Sequence, residues 1–279
     1  MTTPKVTVII PTYNWSSVLR YSIRTVLWQT FRDFELLVVG DACTDDSEEV
    51  VRSFNDSRVH WHNLAQNSGN QSAPNNRGIE LARGKYIAYL GHDDLWHPRH
   101  LEVLVQAMER DADIAYTICE VIGPPPEGRR GLTGFSSSGQ YEYNQFVPPS
   151  SMMHLRNLSA DIGPWLHYNE VKMPPDIEFL TRALEFGKRF EFVKELTVFK
   201  FPSNMRKNVY KERPCHEQAE YLARLEKESG FIERELIAAV GSLAQVHPQI
   251  NMYGHEVTDQ TKPGEIVRNW REWRGLEPK

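Results

Sequence analysis

The chain is short of the features that would make its class obvious. Three cysteines in 279 residues, Cys43, Cys119 and Cys215, are too few and too scattered for a disulfide frame, and no C-x-x-C spacing suggests zinc. Free thiols in a reducing compartment fit this pattern. No apolar run approaches the ~18 residues of a bilayer span. The longest early run, Val6 to Ile10, is interrupted by Thr7 and stops at Pro11. Excess positive charge is also missing: 32 Lys and Arg against 37 Asp and Glu leave a net −5, which argues against a nucleic-acid partner. The opening residues Met1 to Lys5 carry neither an apolar signal core nor a cleavage-type small residue, so a cytoplasmic location is expected. There is no internal repeat. Hydrophobic residues at 40% and charged residues at 25% set aside wholesale disorder, collagen and coiled coil.

What is present is an alternation. Lys5–Ile10 reads as a buried strand, followed by Asn14 or Ser16 as helix caps and a helix with Val18, Leu19, Ile23, Val26 and Leu27 on one side. Phe34–Val39 is a second strand. A helix opens near Asp45, Asp46 or Ser47, with Glu48 and Glu49 in the first turn where the helix dipole favours them. Arg58–His62 reads as strand, Pro74–Leu81 as helix, Lys85–Leu90 as strand, a segment after Pro98 as helix and Ile114–Cys119 as strand. Residues 123–139, rich in Pro, Gly and Ser, read as one long mobile loop. Pro174–Asp176 opens another helix that ends near Gly187. Phe190–Phe201 is strand with a turn near Glu195, and Glu217–Glu228 and Phe231–Val246 are helical.

Strands separated by helices of this length predict an α/β fold with a mostly parallel sheet, flanked by helices on both faces. Ligands bind such sheets at the carboxyl ends of the strands, which marks Pro11–Asn14, Gly40–Asp46 and Gly91–Trp96. Residues 1–203 are expected to form the α/β domain and residues 204–279 a C-terminal helical extension. An apolar face on the extension (Leu222, Leu225, Phe231, Leu236, Ile237, Val240) would serve homo-oligomerisation or packing onto the domain.

The marked loops carry chemistry. Asp93 and Asp94, adjacent at a strand end, repel each other unless something positive binds, which suits Mg²⁺ or Mn²⁺ shared with a diphosphate. Capping of the following helix is the plainer alternative. Asp41 is placed to accept hydrogen bonds from a base or ribose, and Tyr13 offers a flat face for a base. Asp45, Asp46 and Ser47 read more simply as caps. Lys200, Arg206 and Lys207, with Arg129 and Arg130, are candidates to meet a diphosphate. His92, His97, His100, His154 and His167 are candidate ligands, and Trp165 and Tyr168 candidate sugar platforms. Pro11–Ser17 is not the Gly-rich phosphate loop of a nucleotidyltransferase.

Taken together, Pro11-Thr-Tyr-Asn14, Trp28-Gln-Thr-Phe31 before Phe34–Val39, Thr44-Asp-Asp-Ser47, Asn67-Ser-Gly69, Asn76-Arg-Gly-Ile79 and Ala82–Leu90 with Asp93-Asp94 behind it resemble the family 2 inverting glycosyltransferases of the GT-A fold. The resemblance is strong over residues 4–120 and weaker over 150–202. It implies a Rossmann-like nucleotide-sugar-binding half over 1–120, an acceptor half over 121–203, and a donor read as a UDP-sugar with an acceptor hydroxyl. Pro11, Thr12, Tyr13 and Asn14 would line the nucleoside pocket with Asp41 on the base, Asn76, Asp93 and Lys200 would also touch the donor, and Asp94 would hold Mn²⁺ or Mg²⁺. Asp176 matches the family's general base, with Glu178 beside it as the alternative. A helix cap is the other reading of Asp176.

The chain also departs from the family pattern. Gly40 stands where the first of two aspartates is frequent, Gly91 and His92 replace the start of Asp-x-Asp-Asp, and Asn75 stands where an arginine often precedes Asn76. These losses leave open a non-catalytic nucleotide-sugar-binding or scaffolding module.

Overall fold

The computed structural model describes residues 3–126, 128–136, 138–245 and 262–277. In chain order the elements are β1 (Val6–Thr12), α1 (Ser16–Leu27), β2 (Phe34–Gly40), α2 (Ser47–Ser53), β3 (Val59–Asn63), α3 (Ser72–Leu81), β4 (Tyr86–Tyr89), β5 (Leu95–Trp96), α4 (His100–Met108), β6 (Ile114–Ile122), β7 (Arg130–Thr133), β8 (Met152–Leu155), α5 (Leu158–Ile162), α6 (Pro175–Glu185), β9 (Phe190–Lys200), α7 (Val209–Glu212), α8 (His216–Lys227), α9 (Phe231–Gln245) and α10 (Glu265–Trp273). The expected helix Phe231–Val246 is thus present to Gln245. Val246, and Glu127 and Ser137 of the Pro/Gly/Ser stretch, lie outside the described residues.

The strands form one sheet in the order β3-β2-β1-β4-β8-β6-β9-β5, with β7 on β6. β1 pairs in parallel with β2 and β4, β2 with β3, and β6 with β9. β8 lies antiparallel between β4 and β6, so β6 and β9 point the same way as the first four strands. Six described strands therefore share one direction, while β5, β7 and β8 oppose it. The near-continuous apolar strands reflect helices on both faces. Val6, Val8 and Ile10 pack with Leu19 and Ile23 of α1 and Leu101 and Leu104 of α4. Ile9, Leu37 and Ile87 face the other way, into a cluster with Leu158, Phe179 and Leu180.

Local expectations change in several places. Gly91–Trp96 is not wholly loop, because Leu95–Trp96 pairs with β9 as β5. The stretch 123–139 is not wholly loop, because Arg130–Thr133 pairs with β6 as β7. β8 was not foreseen at all. Asp45 serves both helices it lies between, its Oδ1 accepting from Ser47 N at 3.2 Å at the start of α2. Neither Asn14 nor Ser16 caps α1; Asp45 does so from across the turn, its Oδ2 accepting from Ser16 N at 3.0 Å. Asn14 Oδ1 in return accepts from Thr44 N at 2.7 Å and Asp45 N at 3.3 Å. Instead of a turn near Glu195, Phe190–Lys200 is one strand whose register with β6 shifts opposite Lys194 and Glu195.

The C-terminal helices pack onto the sheet. Tyr221, Leu222 and Leu225 of α8 and Phe231 of α9 share a core cluster with Leu95, Phe199 and Phe201. Of the apolar face offered for self-association, Ile237 and Val240 stay exposed. Beneath α9, Glu120 on β6 accepts from Arg130 Nη1 at 3.0 Å, and Arg130 also meets Glu235, which takes Arg224 Nη2 at 2.7 Å. Glu120 is fully buried with Oε2 unpartnered, and burial, opposed by Arg130, pushes its carboxyl up to about 7.

A carboxyl raised by folding costs stability progressively as pH climbs from its unfolded value near ~4.3 to its folded value, and the cost is complete above that. Glu120→Gln is therefore expected to gain thermal stability relative to the parent between pH 5 and pH 8, by on the order of 1 kcal/mol. Calorimetric midpoints across that range check this. A difference independent of pH would show that Glu120 does not titrate in the window.

Candidate active site

The strand directions determine what meets at the top of the sheet. Carboxyl ends of β1, β2, β4 and β9 and amino ends of the opposed β5 and β8 share one edge, and a cleft opens there. Its lining includes Thr12 and Tyr13 after β1, Asp41 after β2, Gly91, His92 and Asp93 after β4, Ser150 before β8, and Lys200 at the end of β9. The first turns of α3 and α6 add Pro74 and Asn75, and Pro175 and Asp176. Two helix N-termini thus face the same space, an arrangement favourable to anions.

Asp41 and Asp93, from loops 52 residues apart, share this cleft. They do different work. Asp41 is spent on a loop: its carboxylate accepts from Ser68 N at 2.8 Å, Gly69 N at 3.0 Å and Asn67 Nδ2 at 2.8 Å. Those bonds hold Gly69, Asn70 and Gln71 as a wall of the cleft. Asp94, offered as the metal ligand, does not line the cleft and is wholly buried. Its Oδ2 accepts from Ser150 Oγ at 2.5 Å and Lys200 Nζ at 3.2 Å, and Oδ1 accepts from Phe201 N at 3.1 Å. Lys200 is raised above its ordinary value by Asp94 and Asp93 despite the opposing effect of burial.

Asp93 is the carboxylate that faces the cleft. It makes no ion pair among the described residues, and burial first, then the Asp94 charge, push it up to about 7. Lys200 acts on Asp93 only from a distance, being spent on Asp94, and a desolvated carboxylate with no cation in contact is the donor expected where a divalent ion completes its shell with substrate phosphates. No group of three His, Cys, Asp or Glu able to hold a metal occurs among the described residues, so any such ion would depend on those phosphates.

The glycines that break the family pattern have a steric reason. A Cβ on Gly40 would lie 2.5 Å from Asn63 Oδ1 and 2.8 Å from the Trp61 ring. On Gly91 it would lie 2.8 Å from Asp94 Oδ2. The volume that a carboxylate would need is filled at both places.

The remaining candidates separate cleanly. Pro11, Thr12 and Tyr13 line the cleft. Asn14 does not, being consumed by the Thr44–Asp45 turn. Asn76 does not either: its amide clasps the Trp165 backbone at 2.9 Å in both directions, and Asn75 is the one on the cleft wall. Among the candidate histidines only His92 lines it, bridging Thr12 Oγ1 at 2.8 Å and Tyr210 Oη at 3.2 Å, and burial drives it down to about 4, keeping it neutral. His154 bonds Tyr89 Oη and His100 bonds Thr197 Oγ1 inside the core. Arg206 pairs with Glu217, Arg130 is in the α9 network, and only Lys200 of the basic candidates reaches the cleft. Trp165 and Tyr168 are buried rather than presented to a sugar, Trp165 stacking on Phe179 at 4.6 Å.

Asp176 lines the cleft at the start of α6, 9% exposed. Burial raises its carboxyl above the ordinary value, with Lys200 and the Ile177 N–H, which donates to Oδ1 at 3.1 Å, pulling the other way. Tyr210 after β9, and Val267, Trp270 and Arg274 from α10 and its end, complete the lining. Periodicity marked none of these, nor Ser150.

The helix-flanked sheet with this cleft is of the GT-A type seen in glycosyltransferase structures. The glycosyl transferase family 2 model matches residues 7–159. The staphylococcal poly(ribitol-phosphate) β-N-acetylglucosaminyltransferase TarP (Staphylococcus aureus) is 36% identical over 222 residues, 74% of this chain and 67% of TarP. The chain spans about a third of the length of other curated relatives it matches: the match with an uncharacterised Escherichia coli glycosyltransferase, YibD, covers 33% of that protein. Among solved structures, S. aureus TarS 1–349 in complex with UDP-GlcNAc superposes with a TM-score of 0.59 at 18% identity, over 89% of this chain and 75% of that one. A Pyrobaculum calidifontis mannosyltransferase in complex with GDP-Man and Mn²⁺ gives 0.56 at 17%, over 99% and 84%. The chain belongs to glycosyl transferase family 2.

Removing one partner of a buried ion pair leaves an uncompensated charge, at about 3–5 kcal/mol. Asp94→Ala is therefore expected to lower the unfolding free energy by that order, whereas Asp93→Asn leaves it equal or higher. Denaturant titration of the two variants checks this. Equal losses would contradict the separation of a structural Asp94 from a ligand-facing Asp93.

Proposed function

We propose that the chain transfers a sugar from a UDP-sugar to an acceptor hydroxyl by single displacement, with inversion at the anomeric carbon. The observation that carries this is the meeting of Asp93, Lys200 and Asp176 in one cleft. UDP is favoured by the UDP-GlcNAc complex of TarS and by the N-acetylglucosaminyl transfer for which TarP is named. Family 2 membership supports transferase chemistry in general.

In this reading the nucleoside lies along Pro11–Tyr13 and the loop that Asp41 holds. The diphosphate lies toward Lys200 and Asp93. Asp93, with donor phosphate oxygens, would hold Mn²⁺ or Mg²⁺, which when bound neutralises charge on the departing diphosphate. The Mn²⁺ complex of the archaeal mannosyltransferase supports that choice. The acceptor enters beside Pro174–Ile177 and Phe146. Its oxygen attacks the anomeric carbon, the bond from that carbon to the diphosphate oxygen breaks with its electron pair leaving on UDP, and the acceptor proton passes to Asp176. A carboxyl raised by burial is better matched to taking that proton than an exposed one. A scaffolding module would leave the buried Asp176 carboxylate without a task. The three free thiols suit a reducing, cytoplasmic setting. No helix among the described residues is long and apolar enough to cross a membrane.

Asp176→Asn is expected to lower transfer about 10²- to 10⁴-fold, the usual worth of a general base, while UDP affinity changes little. Product assays beside titration calorimetry test this. Retained transfer would remove Asp176 from the chemistry. Asp93→Asn is expected to abolish the difference in UDP affinity with and without Mn²⁺, and a parent protein that binds UDP equally well without the ion would set the metal aside.

A further inference from the structure

One wall of the cleft comes from outside the α/β layers. Val267 and Trp270 on α10, with Arg274 directly after it, line the cleft together with residues of the sheet tips. The helix is anchored there: Arg271, buried, donates through Nη1 to Gly69 O on the loop that Asp41 organises. Tyr210 N donates to Arg274 O at 3.1 Å, tying α7 to the same end.

The hydrogen-bond partners of Arg274 are all neutral, and Asp93 across the cleft acts on it only from a distance. The Arg274 Nε donates to Trp270 O at 3.0 Å, Nη1 donates to Ser203 Oγ at 3.2 Å, and the guanidinium lies 5.8 Å from the Tyr210 ring centre. It forms no ion pair among the described residues, and Arg271, also without one, stands a turn away. A half-buried guanidinium beside a second, buried arginine leaves positive charge that an anion in the cleft would offset. A second wall is also unsatisfied. Asn75, fully buried on α3, has no hydrogen-bond partner for either its amide oxygen or its amide nitrogen, although it lines the same cleft. Asn75 is the position at which the family pattern often carries an arginine.

We propose that Arg274 grips the diphosphate of the donor, so that the cationic side chain missing from α3 is supplied by the end of α10. The proposal rests on the donor reading above and adds to it a residue that the family motifs do not reach. Guanidinium presents paired N–H donors that match phosphate oxygens, and it works with Lys200 on the opposite chemistry of the same group, a fork beside a point charge. Asn75, short and uncharged, is left to take a neutral polar group of the same donor.

The test is titration calorimetry of the full chain with UDP and with uridine, which lacks the phosphates, on the parent, Arg274→Gln and Arg274→Lys. A charge-assisted contact predicts that Arg274→Gln weakens UDP about ten- to a hundredfold and leaves uridine within about twofold, with Arg274→Lys falling between the two for UDP. Unchanged UDP affinity in Arg274→Gln overturns the proposal. Parallel losses for UDP and uridine, with a lowered unfolding temperature, also overturn it, assigning Arg274 to holding α10 in place. A parent protein that binds neither compound is a separate failure, of the donor reading itself.

Discussion

The cleft is organised around one buried charge pair. Asp94 and Lys200 meet 106 residues apart in sequence, with Ser150 and the Phe201 amide taking the remaining carboxylate valence. A lone carboxylate or ammonium at that depth would be strongly disfavoured, so each requires the other, and the loop after β4, the turn before β8 and the end of β9 are brought to one point. Ser150 also accepts from Gly91 N at 2.9 Å, and Trp96 Nε1 donates to Ser150 O at 2.6 Å, which fixes the loop on both sides. With Asp94 turned inward, its neighbour Asp93 is left to face the cleft. The division of labour between two adjacent identical residues follows from the position of a lysine far along the chain.

That dependence explains what could be read from the sequence. Apart from the two-residue β5, the alternation from β1 to β6 was legible because β1, β2, β4 and β6 are largely apolar and each helix has its own period and breakers, all local signals. The general location of the cleft followed from strand direction. Which of Asp93 and Asp94 turns inward did not, since nothing local distinguishes them. Asn75 and Asn76 pose the same problem: one side chain lines the cleft and the other clasps the Trp165 backbone, according to helical phase and a partner 89 residues away.

The missed elements share a cause. β7 and β8 are four residues each and are defined by antiparallel partners rather than by their own pattern. Their polar and small residues, Arg130 and Gly131 in one and His154 in the other, are paired or enclosed by β6 and β4. The reach of Asp45 across the turn to Ser16 N is likewise invisible to a rule that seeks a cap adjacent in sequence. The glycines at 40 and 91, which looked like losses of acid, mark places where Trp61, Asn63 and Asp94 already occupy the space.

The participation of α10 in the cleft also bears on how the chain matures. The sheet and its strand-tip loops leave the ribosome well before Val267, Trp270 and Arg274 do, so a nascent chain can bring its carboxylates together while one side of the cleft is still unbuilt. Competence to hold a ligand is thereby deferred to a late stage of synthesis, and a partly made or prematurely terminated chain lacks that side altogether.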